Sequence, residues 1–163
     1  MQELECDFLL CSAYKFYGPH LGIAYVSEPW LTALKPYKVE PATDIGPGRF
    51  ETGTQSFEAL AGFVETVGYL ADLVIDDPDV SLADRLQASY NWIAEHEQLL
   101  SARFLRWIAA KSNVTMYGCP SANHDIRTPT FAFSVEGFHP NDIAMHLGKK
   151  NMCVWAGHFY AQG

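Results

Sequence analysis

The sequence predicts an α/β chain, and three observations carry that prediction. Two apolar runs of strand length, around Phe8-Leu9-Leu10 and Ile23-Ala24-Tyr25-Val26, flank a Gly18-Pro19 break. Two longer stretches, 57–74 and 81–111, carry apolar residues at helical spacing. The last third alternates strand, helix and strand, the order of a small α/β layer. A chain of 163 residues that is 48% apolar is long enough to bury a core of ordinary domain size.

The first two runs place Lys15 at the mouth of a β-β connection. Apolar and aromatic neighbours there predict partial desolvation, which disfavours an ammonium ion and favours the nucleophilic amine. Such an amine can condense with a carbonyl compound. Ser12 offers a hydroxyl three residues upstream, and the 18–22 turn is expected to bring backbone N–H groups close to an anion. Amine and anion seat together suggest an aldehyde that carries a phosphate. Taken bare, the same arrangement also describes a solvated lysine that discourages edge pairing.

Residues 28–48 hold Pro29, Pro36, Pro41 and Pro47, a density of fixed φ angles and missing donors that reads as a long ordered loop, with helical spacing only over 30–34. Phe57, Leu60, Ala61, Val64, Val67, Gly68 and Ala71 then predict a helix over about 57–74, its capping box incomplete because Ala59 stands where Glu would close it. Asp76-Asp77-Pro78-Asp79 is a turn. The longest helix is expected over 81–111, with Asp84 near its start and Arg106 and Lys111 near its end, as the dipole favours. Strands follow at 114–117, 130–135 and 152–155, with a helix at 140–147 that Gly137 and Pro140 introduce and Gly148 ends.

Eleven basic against nineteen acidic residues give a net charge of −8, which repels a phosphate backbone and argues against a nucleic-acid partner. Cys6, Cys11, Cys119 and Cys153 form no Cys-x-x-Cys pair, so reduced thiols in a cytoplasmic protein are expected rather than zinc or a disulfide framework. The start, Met1 to Glu5, is polar and acidic, unlike a signal peptide, and no apolar run reaches the ~20 residues of a membrane helix. The six histidines show no established metal spacing. His96 and His146 are expected on solvated helix faces, and His158 in a loop.

The segment Ser12-Ala13-Tyr14-Lys15-Phe16-Tyr17-Gly18-Pro19-His20-Leu21-Gly22 resembles the lysine segment of the class V aminotransferases, usually Ser-x-His-Lys-x-x-Gly-Pro-x-Gly. Gly46-Pro47-Gly48-Arg49-Phe50-Glu51-Thr52-Gly53-Thr54 is similar to the same family's Glu/Arg-x-Gly-Thr loop, and the likeness continues through Arg127 to Gly163. It is nearest the branch called cysteine-desulfurase-like proteins. The resemblance implies a pyridoxal-phosphate enzyme of fold type I that acts on an amino acid in a homodimer with a shared active site. Lys15 would be the Schiff-base lysine and proton shuttle, Ser12 and Tyr14 would hold the phosphate, and Thr54 would reach the phosphate of the neighbouring subunit. Tyr14 stands where most relatives have His; its hydroxyl can donate to a phosphate oxygen but cannot bring a positive charge.

The same resemblance divides the chain at 80/81, into the end of the cofactor-binding large domain and a linking helix with a small α/β domain. It implies a fragment, since family members carry the pyridine-nitrogen carboxylate and the ring-stacking aromatic before the lysine and a substrate-binding arginine after the equivalent of Gly163. Weak cofactor binding or none by these 163 residues is then expected, and the alternative is a non-catalytic interaction domain or an inactive orphaned fragment. In the loop where desulfurases carry a reactive thiol this chain reads Ala156-Gly157-His158-Phe159-Tyr160, and Cys153 is expected to be inert within a strand, which argues against sulfur transfer.

Four further expectations concern supporting residues. Asp7 either accepts a backbone hydrogen bond at the start of its strand or belongs to the site, and the structural role is expected because Asp is common in turns at strand entries. Arg49 and Glu51 form either a loop-orienting ion pair or a surface pair worth ~0–1 kcal/mol. Arg127 either faces the site or anchors the Thr128-Pro129 turn. Phe131, Phe133 and Trp155 are expected in a core.

Overall fold

The computed structural model describes residues 4–51 and 53–160. Residues 1–3, 52 and 161–163 lie outside the described set, and with them part of the acidic start, one position of the 46–54 motif and the end of the resemblance. The chain divides into two compact units, Met1–Ser89 and Tyr90–Gly163, with the division falling inside one helix.

In the first unit, β1 (Phe8–Ser12) and β2 (Gly22–Val26) pair antiparallel in a register that runs from Phe8↔Val26 to Ser12↔Gly22. The β-β connection expected around Lys15 is therefore a hairpin. A 3₁₀ turn, Ala13–Phe16, follows β1 directly. Asp7 has the structural role: its carbonyl accepts the Ser27 amide at 2.9 Å and its carboxylate accepts the Ser27 hydroxyl at 2.7 Å, just before α1 (Glu28–Ala33).

The proline-rich loop after α1 is held by two cations. Lys38 Nζ donates to the Ala42 carbonyl at 2.8 Å and pairs with Asp44 at 2.9 Å. Arg49 donates to the carbonyls of Thr32 and Leu34, capping the end of α1. Neither reading of an Arg49–Glu51 pair holds, because the guanidinium is directed to carbonyls that α1 leaves without an intrahelical donor.

The next helix, α2 (Phe57–Ala71), ends three residues earlier than the spacing predicts, with Asp72 as its C-cap and the Arg85 guanidinium bonded to that carboxylate. Ser56 makes no side-chain cap, as the incomplete capping box implies. The helix supports the lysine turn through Phe63, edge-on to Phe16 at 6.1 Å. Gly62 lies beside Pro19, with space for a Cβ only 3.8 Å from the proline ring. The expected acidic turn forms with Asp77 accepting from the Asp79 amide at 2.9 Å. The 28-residue α3 (Leu82–Ala109) has the side-chain cap that α2 lacks: Ser81 Oγ accepts the Asp84 amide at 3.1 Å and donates to its carboxylate at 2.7 Å. Buried Ser89 donates to the Ala71 carbonyl at 3.1 Å and ties α3 to the end of α2.

In the second unit β3 (Val114–Tyr117) and β4 (Ala132–Val135) are antiparallel, and Phe104 of α3 packs on Phe131 at 4.6 Å and Phe133 at 6.1 Å. Strand β4 starts later than the expected 130 because Arg127 takes the Thr130 carbonyl at 2.6 Å. Helix α4 (Pro140–Gly148) is capped by His139, whose Nδ1 accepts the Asn141 amide at 3.2 Å. Its exit is made at Asn151 (φ 58°), not at Gly148, with the Met152 amide returning to the Leu147 carbonyl at 3.0 Å.

The strand expected at 152–155 does not form. Among the described residues no neighbouring strand offers it a ladder, and apolar composition without a partner does not make a strand. Trp155 is 82% exposed and touches Phe159, so it leaves the expected core cluster, while Phe131 and Phe133 are half-buried against Phe104. Cys153 is exposed rather than shielded in a strand. His96 and His146 are exposed, as their helix positions imply.

Candidate functional site

Local rules place the lysine. A 3₁₀ turn has three residues per turn, so Ala13 and Phe16 share one face and Tyr14 and Lys15 lie on the others. Ala13 is fully buried and Phe16 faces Phe63, which leaves Lys15 outward and exposed. The desolvation expected from its apolar neighbours is thus corrected: those neighbours turn inward and the amine does not follow. Its nearest aromatic is the Tyr14 ring, with Nζ 5.9 Å from the centroid. Among the described residues the amine has no ion pair and no hydrogen bond, unlike Lys38.

The expected backbone anion seat is also corrected. Gly18 N–H donates to the Ala13 carbonyl at 2.9 Å, Leu21 N–H to the Pro19 carbonyl at 2.8 Å, and Ala13 N–H to the Leu21 carbonyl at 2.8 Å. These amides close the turn and are not free for an anion. Gly18 is required there, since a Cβ would stand 2.9 Å from both the Ala13 carbonyl oxygen and its Cβ. What remains free is side-chain chemistry. Ser12 occupies the N-cap position of the turn without spending its hydroxyl on a cap, and the half-exposed Tyr14 hydroxyl has no partner among the described residues.

The structure brings Ser12, Tyr14 and Lys15 together on one strand end and its turn. Thr54 stands apart, exposed and without a hydrogen-bond partner among the described residues, in the approach to α2 beside Gly53 (φ 84°). Sequence reasoning missed one neighbour: the His20 ring leans on Tyr14 with centroids 4.9 Å apart, a contact between residues six apart across a turn that no periodicity signals.

Arg127 takes the second of its two expected roles. Its Nε donates to the Thr128 carbonyl at 3.1 Å, and its two terminal nitrogens to Cys119 at 2.5 Å and Thr130 at 2.6 Å. The guanidinium also lies 4.2 Å from the Phe131 ring centroid. Beside it, Glu97, Ser101, His124 and Thr128 line a cleft of about 200 Å³ within the second unit.

The family model described as "Aminotransferase class-V" matches residues 1–162. The chain belongs to the class-V aminotransferase family. It is 27% identical over 170 residues to "Aminotransferase-like protein FGM3" of Gibberella zeae, and 29% identical over 174 residues to a cysteine desulfurase of Escherichia coli O127:H6. In both cases the match covers 99% of this chain and 38% of the relative, so the chain spans well under half the length of these curated relatives. Among solved structures, the apo structure of a cysteine desulfurase from Thermococcus onnurineus NA1 superposes with a TM-score of 0.70 over 96% of this chain and 38% of that one, at 21% identity. That likeness establishes the fold, part of the fold-type I transferases, as expected.

Class-V aminotransferases depend on pyridoxal phosphate. The residues present fit that group: a primary amine with no carboxylate partner suits its aldehyde, and two uncommitted hydroxyls on the same turn suit its phosphate.

Proposed function

We propose that this chain is the lysine-bearing part of a pyridoxal-phosphate enzyme, a transferase or lyase that acts on an amino acid. Lys15 binds the cofactor through its amine, and Ser12 and Tyr14 donate to the phosphate from the same subunit. Thr54 donates from a neighbouring subunit of a homodimer in a reducing, cytoplasmic compartment. The carrying observation is the uncommitted Lys15 amine on a turn whose other free groups are hydroxyls. When bound, the cofactor serves as an electron sink for the bonds at a substrate's α-carbon. Lys15 Nζ, exposed and unpaired, is the group here that can take a proton at that carbon and return it.

The names of the relatives make cysteine the first amino acid to test. The 156–160 loop carries no thiol to accept sulfur, which favours transamination or elimination over sulfur transfer. The test is incubation with pyridoxal phosphate followed by borohydride reduction and peptide mapping. A reduced adduct on Lys15 that disappears in Lys15→Ala is expected; undiminished labelling in Lys15→Ala would sink the assignment.

A second reading, an interaction domain whose apolar faces associate, is favoured by one observation. The chain exposes 13,054 Å² at 18.2 kDa, whereas even two wholly separate bodies of half that mass would together expose roughly 9,800 Å². Leu10, Ile45, Phe57, Val64 and Tyr69 of the first unit are all exposed. Sedimentation separates the readings: a dilution-independent monomer unfolding cooperatively in urea would remove this one.

A further inference from the structure

A phosphate held near Lys15 needs N–H or O–H donors, and the backbone of the turn has few to give. The amides of Ala13, Tyr17, Gly18 and Leu21 each donate within the turn, and Pro19 has none. Side-chain donors therefore carry much of what the turn can offer an anion. Besides Ser12 and Tyr14, the side chain that the fold brings to this place is His20, tilted at 36° against the Tyr14 ring that also neighbours the Lys15 amine.

The backbone at His20 is fixed on both sides. Leu21 N–H bonds to the Pro19 carbonyl at 2.8 Å, a three-residue turn centred on His20, and the ring of Pro19 restricts the approach. Neither imidazole nitrogen has a hydrogen-bond partner among the described residues, so both are free for a ligand. An imidazole ring N–H can donate to a phosphate oxygen.

We infer that His20 is a phosphate-binding residue of the Lys15 site, adding an imidazole N–H donor beside the Tyr14 ring. The inference rests on the Lys15 reading above, and its test separates the two. The whole chain is incubated with pyridoxal phosphate or with unphosphorylated pyridoxal. The amine condenses with the aldehyde with loss of water, borohydride reduces the product to a stable secondary amine, and mass spectrometry measures the initial rate of labelling at Lys15.

The native chain is expected to prefer the phosphorylated aldehyde. His20→Phe, which keeps the ring contact and removes the donors, should lower that preference roughly tenfold, about the worth of one charge-assisted hydrogen bond. His20→Gln should fall between the two, and labelling by pyridoxal should be unchanged in both variants. A native chain with no phosphate preference would overturn the Lys15 reading and this inference with it. A preference that survives His20→Phe, or a variant equally slow with both aldehydes, would overturn the role of His20 alone.

Discussion

Two basic residues on turns behave in opposite ways in this molecule. Arg127, in the loop between β3 and β4, gives its nitrogens to the carbonyls of Cys119, Thr128 and Thr130 and rests its guanidinium against Phe131. Lys15, in the turn between β1 and β2, gives its amine to nothing among the described residues. Arg49 resembles Arg127, for it too is spent on carbonyls. The planar fork of arginine satisfies several acceptors at once and makes a structural clamp, whereas an unpaired primary amine adds little to folding and stays available for chemistry.

The sharpest way to break that comparison is Lys15→Arg. It keeps the charge and removes the nucleophile, so the reduced pyridoxal-phosphate adduct should vanish while the melting transition moves by no more than the ~0.5 kcal/mol typical of a surface change. A large loss of stability would show Lys15 to be structural after all. The mirror experiment is Arg127→Ala, expected to cost about 2–3 kcal/mol by urea titration through lost charged hydrogen bonds, with labelling at Lys15 preserved. Arg127→Lys should recover only part of that loss, because a point charge cannot serve three carbonyls together.

The next effect tests how firmly the lysine turn is built. Gly18→Ala sets a Cβ against the Ala13 backbone and should destabilise by about 1–3 kcal/mol, lowering the labelling rate as the turn shifts. Gly62→Ala places its Cβ at ordinary contact with Pro19 and should instead stabilise α2, by up to ~1 kcal/mol. Confined to the second unit, His139→Ala should remove the cap of α4 and cost about 0.5–2 kcal/mol, while His139→Asp retains it. Thermal melts rank all three.

What the sequence made legible was local. The hairpin followed from two apolar runs around Gly18-Pro19, α2 from its stripe, and β3 from a run whose partner lay within the same unit. What it concealed needed distance or packing. Arg49 reaches back to Thr32 and Leu34, and Phe16 turns the lysine outward by engaging Phe63. Residues 152–155 have the composition of a strand and lack a ladder to join. At the site, Ser12, Tyr14 and Lys15 could be read together because they lie within four residues; the contact of His20 with Tyr14 could not, since it depends on how the Gly-Pro turn folds back.

Tyr17 ends the 3₁₀ turn in the left-handed region at φ 70°, with its ring 84% exposed. A bulky L-residue held this way sits about 1–2 kcal/mol above the conformation it would choose alone, and an exposed ring gives back little of that. The loop two residues after Lys15 is therefore kept wound by its neighbours, like a latch under tension. Tyr17→Gly would release that tension, and a firmer fold that labels more slowly would mean the winding is what presents the amine.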